Sequence, residues 1–105
     1  MSVTSRSMEL DASDLQSEHD FYAALAIRLG SPAWHGMNAD AFLETMIYLT
    51  DVNQEQPPYR LLIRRPSEQL NPFLEKFAGW IAEARQDRIA DSKWGDDVGV
   101  EILLV

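Results

Sequence analysis

The order of apolar segments predicts an α/β fold, a small three-stranded parallel sheet packed with about four helices. Three observations carry this. Apolar runs at residues 8–10, 61–63 and 100–105 are too brief for helices and read as strands. Longer segments between them carry apolar residues at three- and four-residue spacings, the mark of amphipathic helices. Parallel neighbours need crossover connections, and helices in those positions supply them, with right-handed connections expected.

Each element has its own justification. Met8-Glu9-Leu10 followed by Asp11 reads as a short first strand. From Glu18 to Leu29, the positions of Phe21, Ala24, Leu25, Ile27, Arg28 and Leu29 predict a helix, with Ser17 and Asp20 forming a loose capping box. Gly30 and Pro32 end it. Asn38 is a favourable N-cap for a second helix reaching Leu49 or Thr50, with Phe42, Leu43, Met46, Ile47 and Leu49 as its apolar face. The polar loop DVNQEQPP follows, then YRLLIRR, whose Leu61, Leu62 and Ile63 suit a strand buried on both faces. A long helix from about residue 71 to Ala90 has Pro72 in its first turn and Phe73, Phe77, Trp80, Ile81 and Ala84 as its inward stripe. DSKWGDDVG forms a turn, and VEILLV closes the sheet as a third buried strand.

Length and composition bound the function. The 105 residues read as one domain over 1–105, with 1–7 a flexible lead. Without cysteine there is no disulfide frame, thiol nucleophile or Cys-based zinc site, and two histidines outside any ligand spacing give no metal motif. No cofactor motif, glycine-rich phosphate loop or nucleophile elbow is present, so no catalytic residue is assigned and an enzyme is not expected. MSVTSRSMEL lacks the apolar core of a signal peptide, and no run reaches transmembrane length, so a cytoplasmic location is expected. Seventeen acids against nine bases give a net charge of -8, which repels nucleic acid and anionic membranes and attracts a basic partner.

The stretch SPAWHGMNADAFLE, residues 31–44, concentrates the unusual chemistry. Gly36 leaves room where a Cβ would obstruct the turn. Asp40 and Glu44 are four residues apart, hence on one helical face, where like charges cost roughly 0.2–0.5 kcal/mol in an isolated helix. An aromatic beside carboxylates is the composition of a contact patch for a cationic, partly apolar surface. Plain structural roles also exist: Asp40 as a helix-start acid, Trp34 folded onto the core, His35 as a loop histidine with one local hydrogen bond.

The string P-x-[aromatic]-x-G-x-N-x-D-A-[apolar]-x-[acid], here Pro32, Trp34, Gly36, Asn38, Asp40, Ala41, Phe42 and Glu44, resembles the barstar family of intracellular ribonuclease inhibitors. The similarity runs upstream without a gap through SEHDFYAALAIRLGSP and, more loosely, through YRLLIRR and VEILLV. The resemblance implies a protein inhibitor that blocks the active site of a basic ribonuclease or RNase toxin domain, one to one, as an immunity protein of a toxin–antitoxin type. It also implies partner contacts from Trp34, His35, Gly36, Asn38, Asp40, Leu43 and Glu44, with Glu83 as the matching acid on the last helix. Glu44 and Leu43 stand where the best-known member has aspartate and tryptophan. The alternative is a barstar-fold immunity or regulatory interaction domain for a partner that is not a ribonuclease.

Overall fold

A computed structural model describes residues 6–105 of the chain. Strand β1 (Arg6–Asp11) leads to helix α1 (Glu18–Leu29), helix α2 (Ala39–Leu43), a π-helical turn (Glu44–Tyr48), β2 (Tyr59–Arg64), α3 (Asn71–Ala90) and β3 (Val100–Leu104). The sheet is parallel throughout in the order β1-β2-β3, with Leu10 opposite Ile63 and Leu61 opposite Ile102. The α/β architecture is the one the sequence predicts, with three helices rather than about four. Of the stretch 1–7 expected to be flexible, residues 1–5 lie outside the described residues, while Arg6 and Ser7 belong to β1. No helix among the described residues is long and apolar enough to cross a membrane.

The sheet buries one face. Met8, Leu10, Tyr59, Leu61, Ile63, Val100 and Ile102 alternate along the three strands and form the floor of the core. The opposite face carries Glu9, Arg60, Arg64 and Glu101, joined across strands as the pairs Arg60–Glu101 and Arg64–Glu9. The prediction that β2 and β3 are buried on both faces is therefore corrected: Leu62 is half-buried and Leu103 exposed. Period-two alternation was hidden by leucine standing at both in- and out-facing positions.

The helices fill the other side through an aromatic cluster. Phe21 meets Phe77 edge-on at 5.1 Å, and Tyr22 stacks on Phe42 at 5.7 Å with the rings 8° apart. The caps are as the sequence suggests. Ser17 accepts a hydrogen bond from the Asp20 amide at 3.0 Å. Gly30 closes α1 at φ 66°, a left-handed conformation, with the amides of Gly30 and Ser31 returning to the Ile27 and Ala26 carbonyls. Four apolar assignments change. Ile27 is 83% exposed, because at about 100° per residue it lies opposite the Phe21–Leu25–Leu29 stripe. On α3, Leu74 is buried, whereas Trp80 is 40% exposed, its ring nearly perpendicular to that of Phe73. Leu49, expected on the apolar face of the second helix, is exposed beyond the π-helical turn.

The turn at residues 91–99 is fastened by two arginines of α3. Arg85 grips Asp97 in a bidentate pair at 2.7 and 2.8 Å, and Arg88 grips Asp96 at 2.9 and 3.2 Å. Arg88 also lies over the Trp94 ring and donates to the Ile47 carbonyl at the end of the π-helical turn. Hydrogen bonds from Arg85 hold the Asp97 carboxyl down at about 2, helped by the Gly99 amide and opposed by partial desolvation. Because the folded state depresses this carboxyl, the pair contributes stability above the ordinary value of 3.8 and loses it as pH falls toward about 2. Asp97→Asn should therefore be less stable than the native chain at neutral pH. The gap should close between about pH 4 and about pH 2 in denaturant titrations. A gap that persists unchanged to the acid end excludes this linkage.

Candidate functional site

Backbone geometry at residues 31–44 follows from one proline, one glycine and one cap. The Asn38 side chain accepts the Ala41 amide at 2.8 Å, closing the N-terminus of α2. Gly36 sits against this cap: a Cβ there would come within 2.9 Å of Asn38 Nδ2 and 3.2 Å of the Ala41 Cβ. The glycine is needed for space, not for an unusual φ. Pro32 starts the turn, its carbonyl accepting from the His35 amide at 3.0 Å.

Trp34 and His35 point in opposite directions. Trp34 is 75% exposed, so the tryptophan folded onto the core is ruled out. His35 is only 4% exposed. Its ring lies 4.3 Å from that of Phe42, its Nδ1 bonds the Gly36 carbonyl at 2.7 Å, and its Nε2 bonds Thr45 Oγ1 at 2.8 Å. As a contact residue His35 is thus corrected: the ring is inside the protein, beneath the loop. Asn38, Asp40 and Glu44 are exposed, Gly36 is half-buried, and Leu43 is half-buried between the two acids, packed against the core. Buried Phe42 sets this orientation, since it faces the core and the helical period turns Asp40 and Glu44 to solvent and leaves Leu43 at the boundary.

Glu83 is exposed on α3, and Asp87, one turn further along and also exposed, shares its face. Sequence reasoning did not single out Asp87, although its four-residue spacing from Glu83 was visible. It also missed the π-helical turn that starts at Glu44 and the buried polar pair Thr45 and Asn53. Thr45 did leave a signal, a hydroxyl interrupting the run Phe42, Leu43, Met46, Ile47. Asn53 left none.

The acids of the site take no part in the ion pairs of the described residues, as is also true of acids elsewhere such as Asp14, Asp51 and Glu68. The ion pairs among the described residues are Arg6–Glu55, Arg60–Glu101, Arg64–Glu9, Arg65–Asp11, Arg85–Asp97 and Arg88–Asp96. These take up six of the nine bases, and not one reaches Asp40, Glu44, Glu83 or Asp87. The arrangement is an exposed ridge, with an indole at one end and uncompensated carboxylates along it. Chemically it can dock a cationic surface.

The chain matches the family model described as Barstar (barnase inhibitor) over residues 5–104. No curated protein matches the chain.

The packing of Gly36 on the Asn38 cap generates a double-mutant test. Gly36→Ala and Asn38→Ala should each cost about 1 kcal/mol, the usual worth of an N-cap. The double variant should cost little more than either alone, because both damage the same bond. Urea denaturation of the four proteins measures this, and full additivity would separate Gly36 from the cap.

Proposed function

The chain belongs to the barstar family, and from that premise we propose that it inhibits a basic ribonuclease by plugging the enzyme's active site with the Trp34–Glu44 ridge. The observation that supports this is the unpaired state of Asp40 and Glu44 beside an exposed tryptophan, on a protein that neutralises most of its bases elsewhere.

The physical logic runs from the enzyme's need. A ribonuclease must hold phosphate with arginine and lysine, so its site is positive before RNA arrives. Carboxylates offered on a rigid helix meet that charge, and carboxylate–guanidinium pairs are short, directional and often bidentate. Asp40 and Glu44 occupy successive turns of one face and supply two such groups. Trp34 contributes apolar area at the rim of the same ridge, and Leu43 a smaller apolar contact between the acids. Glu83 and Asp87 are further exposed acids, on α3, and Glu83 is the acid that the family resemblance matches to a partner contact. The repulsion between like charges in the free chain is relieved once bases from the partner arrive. The reading extends to a one-to-one complex formed in the cytoplasm, where such an inhibitor protects its host from its own or a rival's RNase.

Inhibition assays against barnase and a panel of small basic ribonucleases test this directly. Asp40→Ala and Glu44→Ala should each weaken the inhibited complex by about 2–5 kcal/mol, the usual cost of truncating one partner of a buried interfacial charge pair. Far-UV circular dichroism of each variant should stay native, since both residues are exposed. Association should slow as salt rises, because the steering field is screened. Native inhibition by both variants would remove this face from the mechanism, and inhibition of no ribonuclease would favour an interaction domain for another class of partner.

A further inference from the structure

Apart from the tyrosines Tyr22 and Tyr59, three polar side chains are buried among the described residues, His35, Thr45 and Asn53, the last two 7% and 2% exposed. All three belong to one hydrogen-bonded chain. Ser31 Oγ donates to Asn53 Oδ1 at 2.6 Å, and Asn53 Nδ2 donates to Thr45 Oγ1 at 3.3 Å. Thr45 Oγ1 meets His35 Nε2 at 2.8 Å, and His35 Nδ1 meets the Gly36 carbonyl at 2.7 Å. No buried side-chain nitrogen or oxygen among the described residues lacks a partner.

A carbonyl oxygen only accepts, so His35 Nδ1 carries the proton of its bond to Gly36. Thr45 Oγ1 accepts from Asn53 Nδ2, donates to the Ala41 carbonyl at 3.1 Å and lies 2.8 Å from His35 Nε2, so the hydroxyl is the junction of the chain.

We infer that this buried chain is a positioning device: His35, Thr45 and Asn53 fix the loop so that Trp34 stands outward and lock it to the helix bearing Glu44. The loop is tethered at both ends, at Ser31 and at His35–Gly36, while Trp34 lies between the tethers. His35 and Trp34 are neighbours facing opposite ways, so anchoring one inward directs the other outward. Thr45 follows Glu44 directly, which makes the two proposed contact elements share one anchor. The consequence for affinity rests on the inhibitor reading, since a loop already held in its binding shape loses less entropy on docking. The positioning itself does not depend on that reading.

Nuclear magnetic resonance of the free protein tests the geometry, and ring nitrogen shifts of His35 in the native chain need no variant. The Nδ1–H tautomer is required. Thr45→Val keeps the shape and deletes the hydroxyl, whereas Thr45→Ser restores it. In Thr45→Val the amides of residues 33–36 should exchange with solvent about tenfold faster, with β2 amides unchanged, and Thr45→Ser should behave as native. Against a ribonuclease that the native chain inhibits, Thr45→Val should weaken binding about tenfold, mainly through faster dissociation, and Thr45→Ser should recover it. An Nε2–H tautomer, or loop exchange indifferent to Thr45→Val, overturns the proposal. If the tautomer and exchange results hold but no ribonuclease is inhibited, the positioning device stands and the inhibitor reading falls.

Discussion

Phe42 is the contact on which the rest of the site depends. Its ring is buried, stacked on Tyr22 of α1 and set against the ring of His35 beneath the loop. One side chain thus joins the core, the turn at 31–36 and the short helix α2. A helix of five residues has little stability of its own, because nucleation is unfavourable and few backbone bonds follow it. It persists because Asn38 caps its start and Phe42 pins its middle. Once those two are placed, helical geometry leaves no choice about where Asp40, Leu43 and Glu44 go.

Charge is distributed with the same division. On the open face of the sheet arginines and carboxylates are matched in exposed pairs, and along the 91–99 turn in pairs whose arginines are largely covered. The exposed pairs contribute little stability singly, but all of them lower the local field of an acidic chain. The ridge is left out of this matching. Asp40 and Glu44 stand unpaired within the negative field of a chain of net charge -8, and a field of that sign raises the association rate with a basic partner.

Much of this was legible in the sequence, for identifiable reasons. Helix α1 was bounded correctly because Ser17 and Gly30 are strong start and stop signals on either side of a periodic segment. The parallel sheet followed from short apolar runs separated by helical crossovers. Asn38 was readable as a cap because capping is local chemistry. What failed were features decided by tertiary packing. Leucine does not reveal which side of a strand is covered, so the open face of the sheet was missed. Trp80 looks like core by periodicity yet lies at a helix margin. The inward turn of His35 depends on Thr45 and Asn53, ten and eighteen positions away, and no local pattern links them.

The π-helical turn after Glu44 reconciles two demands on a single helix. Glu44 must face solvent, yet Thr45, Met46 and Ile47 are all buried, three consecutive residues on the inside. In an α-helix successive side chains rotate by about 100°, so three in a row sweep more than half the circumference and one of them tends to point outward. A wider turn, closed here by the Leu49 amide on the Glu44 carbonyl five residues back at 2.7 Å, rotates less per residue and keeps all three within the buried sector. The freed end of that turn is then taken by Arg88, which donates to the Ile47 carbonyl while held by Asp96 and Trp94. The 91–99 segment, longer than a simple connection requires, accordingly has a structural task. It secures the far end of the element whose near end presents Glu44, so the acid ridge is clamped at both ends without any ion pair being formed on the ridge itself.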